Sequence, residues 1–98
     1  MTAYQLTPAA EADLEAIWNY TDRVWGIEQA HRYIEGLADT FGVLAETSTL
    51  ARERHEFQPP VRIHPHAHHL IVYLTTESGI LIVRILHESM DVDAQLED

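Results

Sequence analysis

A single glycine separates two runs of helical apolar spacing, and that junction limits the fold more than any other feature of the chain. Before Gly26, residues Ala10, Leu14, Ile17, Trp18, Thr21 and Trp25 step by threes and fours, the spacing of one stripe along a helix. After it, Ile27, Ala30, Ile34, Leu37, Phe41 and Leu44 repeat the pattern, ending near Thr47-Ser48. Thr7-Pro8 supplies the first start, threonine as N-cap and proline at the first helical position, with Glu11 and Asp13 near the positive end of the dipole. Gly26 is the stop. With so short a link, the two stripes must fold back on each other, which predicts an antiparallel helical hairpin.

The period changes from 3.6 to two after ARERHEFQPP, residues 51–60. Val61–His64 reads as a short strand, His69–Thr75 as a longer one and Gly79–His87 as a third, with Glu77-Ser78-Gly79 as the turn of an antiparallel pair. Tyr4–Leu6 is a short extended entry. The long runs carry Ile, Leu and Val on both faces, which predicts central strands with one face on the helices and the other covered by something else, a partner being the candidate. Residues 88–98, ESMDVDAQLED, read as an acidic extension or partly ordered tail. The fold class is therefore α+β: a short strand, a helical hairpin and three strands, with the hairpin on one face of a mostly antiparallel sheet. A chain of 98 residues buries about two thirds of its unfolded surface, enough for one core, so residues 1–98 are expected to form one domain.

Charge narrows the partners. The formal charge of −10 is uneven: eight acids and two arginines up to Thr47 give −6, three acids and four arginines from Ser48 to His87 give +1, and five acids from Glu88 onward give −5. All six basic residues are arginine. So acidic a chain is a poor match for a large nucleic-acid footprint, and its partner is expected to be a protein. Without cysteine, thiolate nucleophiles and disulfides are excluded, and zinc would need histidine and carboxylate alone. MTAYQLTPAAEADL lacks the basic start and apolar core of a secretory signal, and no apolar run is long enough to cross a bilayer, so a cytoplasmic location is expected.

YQLTPAAEADLEAIWNYT, WGIEQAHRYIEGL, HHLIVYL and RILHESMDVDAQL, spread in order from Tyr4 to Leu96, resemble the ParE toxins of bacterial toxin–antitoxin pairs, within the RelE/ParE superfamily. The terminal RILHxxMDxxAxL and the opening LTPAAEADLxxIW are the most specific pieces. The resemblance implies a cytoplasmic inhibitor that binds DNA gyrase and traps it on cleaved DNA. It also implies a ParD antitoxin, a ribbon-helix-helix protein with a C-terminal toxin-binding segment, and calls for no cofactor and no metal. The alternatives are a ribosome-dependent messenger-RNA endonuclease of the RelE type, or a toxin fold that has lost toxicity.

The residues expected to meet a partner are Arg62, Arg84, Tyr73, His87, Met90, Trp25, Arg52 and Arg54. Arg84, on a face shared with Ile80, Ile82 and Leu86, and Arg62 on the neighbouring strand present planar forks suited to carboxylates of an antitoxin laid on the open sheet face. Arg52 and Arg54 are placed in a loop. Trp25 stands near the hairpin tip, while Glu11, Asp13 and Glu15 are expected on a solvated face. RelE-type cleavage would use these arginines to hold phosphate, with His87 or Tyr73 moving a proton, but a −10 chain would approach the ribosome against its own field.

In similar ParE sequences the stretch from Arg62 to Tyr73 reads R-x-x-P-x-G-R-H-L-I-x-Y. Here Ala67 and His68 replace the glycine and arginine. His64, His66 and His68 would share a face of a continuous strand, but Pro65 and a turn at His66-Ala67 interrupt it, so no metal site is expected. His64, His66, His68 and His69 are instead expected at turn and strand-end positions that titrate near neutrality, tightening any contact with an acidic segment as pH falls.

Overall fold

A computed structural model describes residues 3–96. Met1, Thr2, Glu97 and Asp98, which belong to the expected domain ends and acidic tail, lie outside the described residues. The elements are β1 (Ala3–Leu6), α1 (Pro8–Trp25), α2 (Ile27–Glu46), β2 (Glu53–Arg54), β3 (Val61–His66), β4 (His69–Thr76), β5 (Gly79–His87) and α3 (Val92–Leu96). The five strands form one sheet in the order β1-β5-β4-β3-β2, with β1 parallel to β5 and the other pairs antiparallel. The expected hairpin and mostly antiparallel sheet are present. No described helix is long and apolar enough to cross a membrane.

Local chemistry sets the helix ends. The Thr7 hydroxyl accepts from the Ala10 amide at 3.1 Å and donates to the Val83 carbonyl at 2.7 Å, so the N-cap also ties α1 to β5. Gly26, at φ 97, donates its amide to Asp22 and accepts from Ala30, ending one helix and opening the next within one residue. The hairpin then lays Ala10, Ile17, Leu37, Phe41 and Leu44 on Ile71, Tyr73, Ile80, Ile82 and Ile85. This is the main core.

The strands depart from simple alternation at one place. Tyr73 pairs with Ile82 but Val72 pairs with Arg84, which leaves Val83 as an extra residue in β5. This bulge exchanges the two faces beyond it. Ile80, Ile82 and Ile85 face the helices, whereas Leu86 joins Val61 and Val72 on the outer face. Arg84 therefore does not share a face with Ile80 and Ile82, as unbroken alternation predicts.

The outer face is partly covered by the chain itself. Val92 and Leu96 of α3, with Phe57, pack on Val61, Val72 and Leu86. The Asp91 carboxylate accepts from the Asp93 and Ala94 amides, at 3.1 and 3.4 Å, and so starts this short helix. Residues 92–96 of the expected tail are thus a docked element, and part of the cover assigned to a partner is internal. Two further boundaries differ: β3 runs through Pro65 to His66, and Arg54 lies in β2 rather than a loop.

The β3–β4 turn has two residues, Ala67 and His68, with Ala67 at φ 52. Only glycine occupies that left-handed region without cost. Ala67→Gly is expected to stabilise the fold by about 1 kcal/mol, raising the melting temperature by roughly 4–8 °C in a scanning calorimetry comparison.

Candidate functional site

The C-terminal half of α1, the start of α2 and the end of the sheet enclose an open groove of about 1090 Å³. Ala16, Ile17, Tyr20, Thr21 and Trp25 of α1 form one wall, and Glu28, Gln29, Arg32 and Tyr33 of α2 the next. His68, His69, His87, Ser89 and Met90 close the sheet side. Trp25 is 70% exposed, Tyr20 56% and Met90 45%, and Val24 and Ile27 beside the tip are also exposed. These exposed apolar side chains are grouped at one end of the molecule, around the hairpin tip and the groove.

Strand register builds the histidine wall. The tight turn puts His68 beside His69, His69 pairs across with His87, and the Glu88 amide donates to the His68 carbonyl at 2.8 Å. The His69 ring meets His87 edge-on at 5.4 Å between centroids, and the His68 ring stacks on His87 at 6.4 Å. Each imidazole has its own partner. Tyr33 Oη lies 2.5 Å from His69 Nδ1, Glu88 Oε2 lies 2.5 Å from His68 Nδ1, and His87 Nδ1 accepts from the Ser89 amide at 3.1 Å with the Ser89 hydroxyl at 2.7 Å. Burial and the neighbouring His87 push His69 below the ordinary imidazole value, while burial and then Glu88 push Tyr33 above the ordinary phenol value.

His66 points the other way, under α2. Thr40 donates its hydroxyl to the Gly36 carbonyl at 3.0 Å, so the 3.1 Å contact with His66 Nδ1 has the ring N–H as donor. Burial lowers its pKa. Among the described residues no three His, Asp or Glu side chains are placed to hold a metal ion.

Of the residues expected to meet a partner, Trp25, His87 and Met90 come together in this groove. The others do not. The Arg84 guanidinium grips Asp13 in two bonds, Nε to Oδ2 at 2.7 Å and Nη2 to Oδ1 at 3.0 Å, and Asp13 Oδ2 also accepts from the Ile85 amide at 2.9 Å. Hydrogen bonding to Asp13 raises the Arg84 pKa above its ordinary value. Asp13 is thus no solvated acid, and Arg84 is no vacant cation, because β1 stops at Ile82 and Asp13 seals the β5 edge beyond it. Tyr73 is fully buried and donates its hydroxyl to the Ser48 carbonyl at 2.7 Å, which removes it from any contact surface. Arg62, paired across from Tyr73, donates Nη1 to the Ala51 carbonyl at 2.6 Å, and its Nε is buried without a hydrogen-bond partner. Arg54 donates to Glu56 at 2.8 Å and lies over Phe57; with exposed Arg52 it sits at the β2 edge of the sheet, away from the groove.

Sequence reasoning assigned no site role to Tyr20, Arg32 or Tyr33. Tyr20 and Tyr33 fall off the two core stripes, and that offset is the one local signal that they serve another surface.

Residues 4–92 match the family described as the ParE toxin of type II toxin-antitoxin system, parDE. The chain is 40% identical over 99 residues to Toxin ParE of Escherichia coli, covering 100% of this chain and 96% of that toxin. It is 37% identical over 94 residues to Toxin ParE1 of Mycobacterium tuberculosis, covering 95% and 96%. Among solved structures, a chain of the chromosomal ParDE TA system from P. aeruginosa superimposes with a TM-score of 0.74 at 22% identity, over 89% of this chain and 96% of that one. The last likeness is one of fold.

Proposed function

Because the chain belongs to the ParE family of toxins of type II toxin–antitoxin systems, we propose that it inhibits DNA gyrase by binding, without chemistry of its own. In the same reading, a ParD-like antitoxin, a ribbon-helix-helix protein with a C-terminal toxin-binding segment, neutralises it. The observation that carries the reading is the division of labour on the surface. Tyr20, Trp25 and Met90 are exposed around one groove, whereas Arg84, a cation suited to hold a phosphate in an RNA-cleaving site, is occupied by Asp13. An amphipathic segment of the antitoxin seats its apolar side in the groove against Trp25 and Met90 and turns polar groups to Arg32 and His87. The outer sheet face, where Val92 and Leu96 already lie, offers such a segment less vacant apolar surface.

The test is a pair of assays on the purified chain. Loss of supercoiling with accumulation of gyrase-cleaved DNA, relieved by the antitoxin, is the expected result. Cleavage of messenger RNA on ribosomes with gyrase unaffected would replace this reading with the nuclease one, and inactivity in both assays would mark a toxin fold without toxicity.

A further inference from the structure

The groove's sheet side holds three imidazoles, of which His68 is bonded to a carboxylate, His69 to a phenol and His87 to a backbone amide. His69 Nδ1 faces the Tyr33 hydroxyl, and His87 Nδ1 accepts from the Ser89 amide, so the neutral His87 ring carries its proton on Nε2. The charged groups facing them are few. Glu88 is bonded to His68; Glu28 and Arg32 stand on the α2 wall, with Arg32 donating to Gln29 at 3.2 Å; and α1 contributes Tyr20 as its one titratable side chain. His66, behind the turn, repels a charge on His69, as His68 and His87 do. With the groove vacant, a proton on His69 therefore meets other imidazoles and a part-buried site, opposed by Glu88, which is already bonded to His68.

A carboxylate entering the groove changes that balance, because it replaces water beside the imidazoles with a fixed opposite charge. We infer that His68, His69 and His87 form a proton-linked latch for a carboxylate-bearing amphipathic segment of the antitoxin, which holds this toxin more tightly at pH 6 than at pH 8. The inference rests on the seat proposed above and adds its regulation. The sign follows from linkage: the occupant raises the imidazole pKa values, so binding takes up protons, is tightest below the free-state values and weakens as pH rises through the bound-state ones. An uptake averaging about half a proton across this two-unit window makes the dissociation constant about tenfold smaller at pH 6 than at pH 8.

The experiment is titration calorimetry of this toxin with its ParD-like antitoxin, at pH 6 and pH 8, in two buffers of different ionisation enthalpy. Wild type should show the tenfold change and net proton uptake. The double variant His68→Arg/His87→Gln, both at solvent-accessible positions, should flatten the pH dependence, and His68→Arg alone should retain tight binding at pH 8. Tyr20→Glu, which puts a carboxylate on the opposite wall, should weaken binding at both pH values. A dissociation constant equal at pH 6 and pH 8 with no proton uptake overturns the latch, and so does a double variant whose pH dependence is as large as that of wild type. If Tyr20→Glu binds like wild type, the seat itself is wrong, which is a separate failure from loss of pH dependence with the seat intact.

Discussion

Asp13→Ala should lower the unfolding free energy by about 3 kcal/mol, a large fraction of the margin of a domain this size. Three hydrogen bonds end on that carboxylate, two from the Arg84 guanidinium and one from the Ile85 amide. Truncation leaves a part-buried cation and a strand-edge amide without acceptors. The side chains of Arg84 and Asp13 are 24% and 16% exposed, so water recovers part of the loss and the cost stays below that of a fully buried pair. Arg84→Ala should cost less, about 1.5 kcal/mol, because Asp13 keeps the Ile85 amide. Asp13→Asn, which keeps one acceptor oxygen, should fall between. Chemical denaturation of the three variants checks the order. Equal costs for Asp13→Ala and Arg84→Ala would show that the edge amide contributes nothing.

Gly79→Ala is expected to be nearly as damaging, at about 3 kcal/mol, through a different cause. Gly79 has φ 152, and a Cβ there would collide with the Ala3 backbone, whose carbonyl oxygen it would overlap and whose amide nitrogen it would meet at 2.9 Å. No side-chain rotation relieves a clash with backbone. Parallel pairing of β1 begins at this point, Ala3 opposite Gly79. The variant should therefore release β1 and with it the edge-on contact of Tyr4 with Phe41. Amide exchange should rise at Tyr4–Leu6 more than in β4, and the melting temperature should fall by roughly 15 °C. Unchanged protection in β1 would contradict this role.

Both sites show where sequence reading reaches and where it stops. The helical hairpin was legible because its signals are local: Thr7, Pro8, Gly26 and two stripes of period 3.6. The three long strands were legible from apolar runs and turn residues. β2 was not, since Glu53-Arg54 has neither length nor alternation, and α3 was hidden because five residues, VDAQL, are too few to show a period. The Val83 bulge changes which atoms pair without changing any residue, so alternation put Arg84 on the wrong side. Its partner Asp13 lies 71 positions away and resembles its solvated neighbours Glu11 and Glu15 in every local respect. The site divides the same way. Trp25, His87 and Met90 came from the resemblance and from position near element ends, but the groove needs Tyr33 and Arg32, which only the packing of α2 against the turn brings into place.

That the antitoxin occupies the groove rather than the outer sheet face is the claim the account turns on, and the reactive side chains present there allow it to be measured directly. In hydroxyl-radical footprinting of the toxin alone and in its antitoxin complex, oxidation of Tyr20, Trp25 and Met90 should fall several-fold while Phe57 and Leu96 change little. Undiminished oxidation of Trp25 and Met90, together with protection of Phe57 and Leu96, would place the antitoxin on the other side of the sheet.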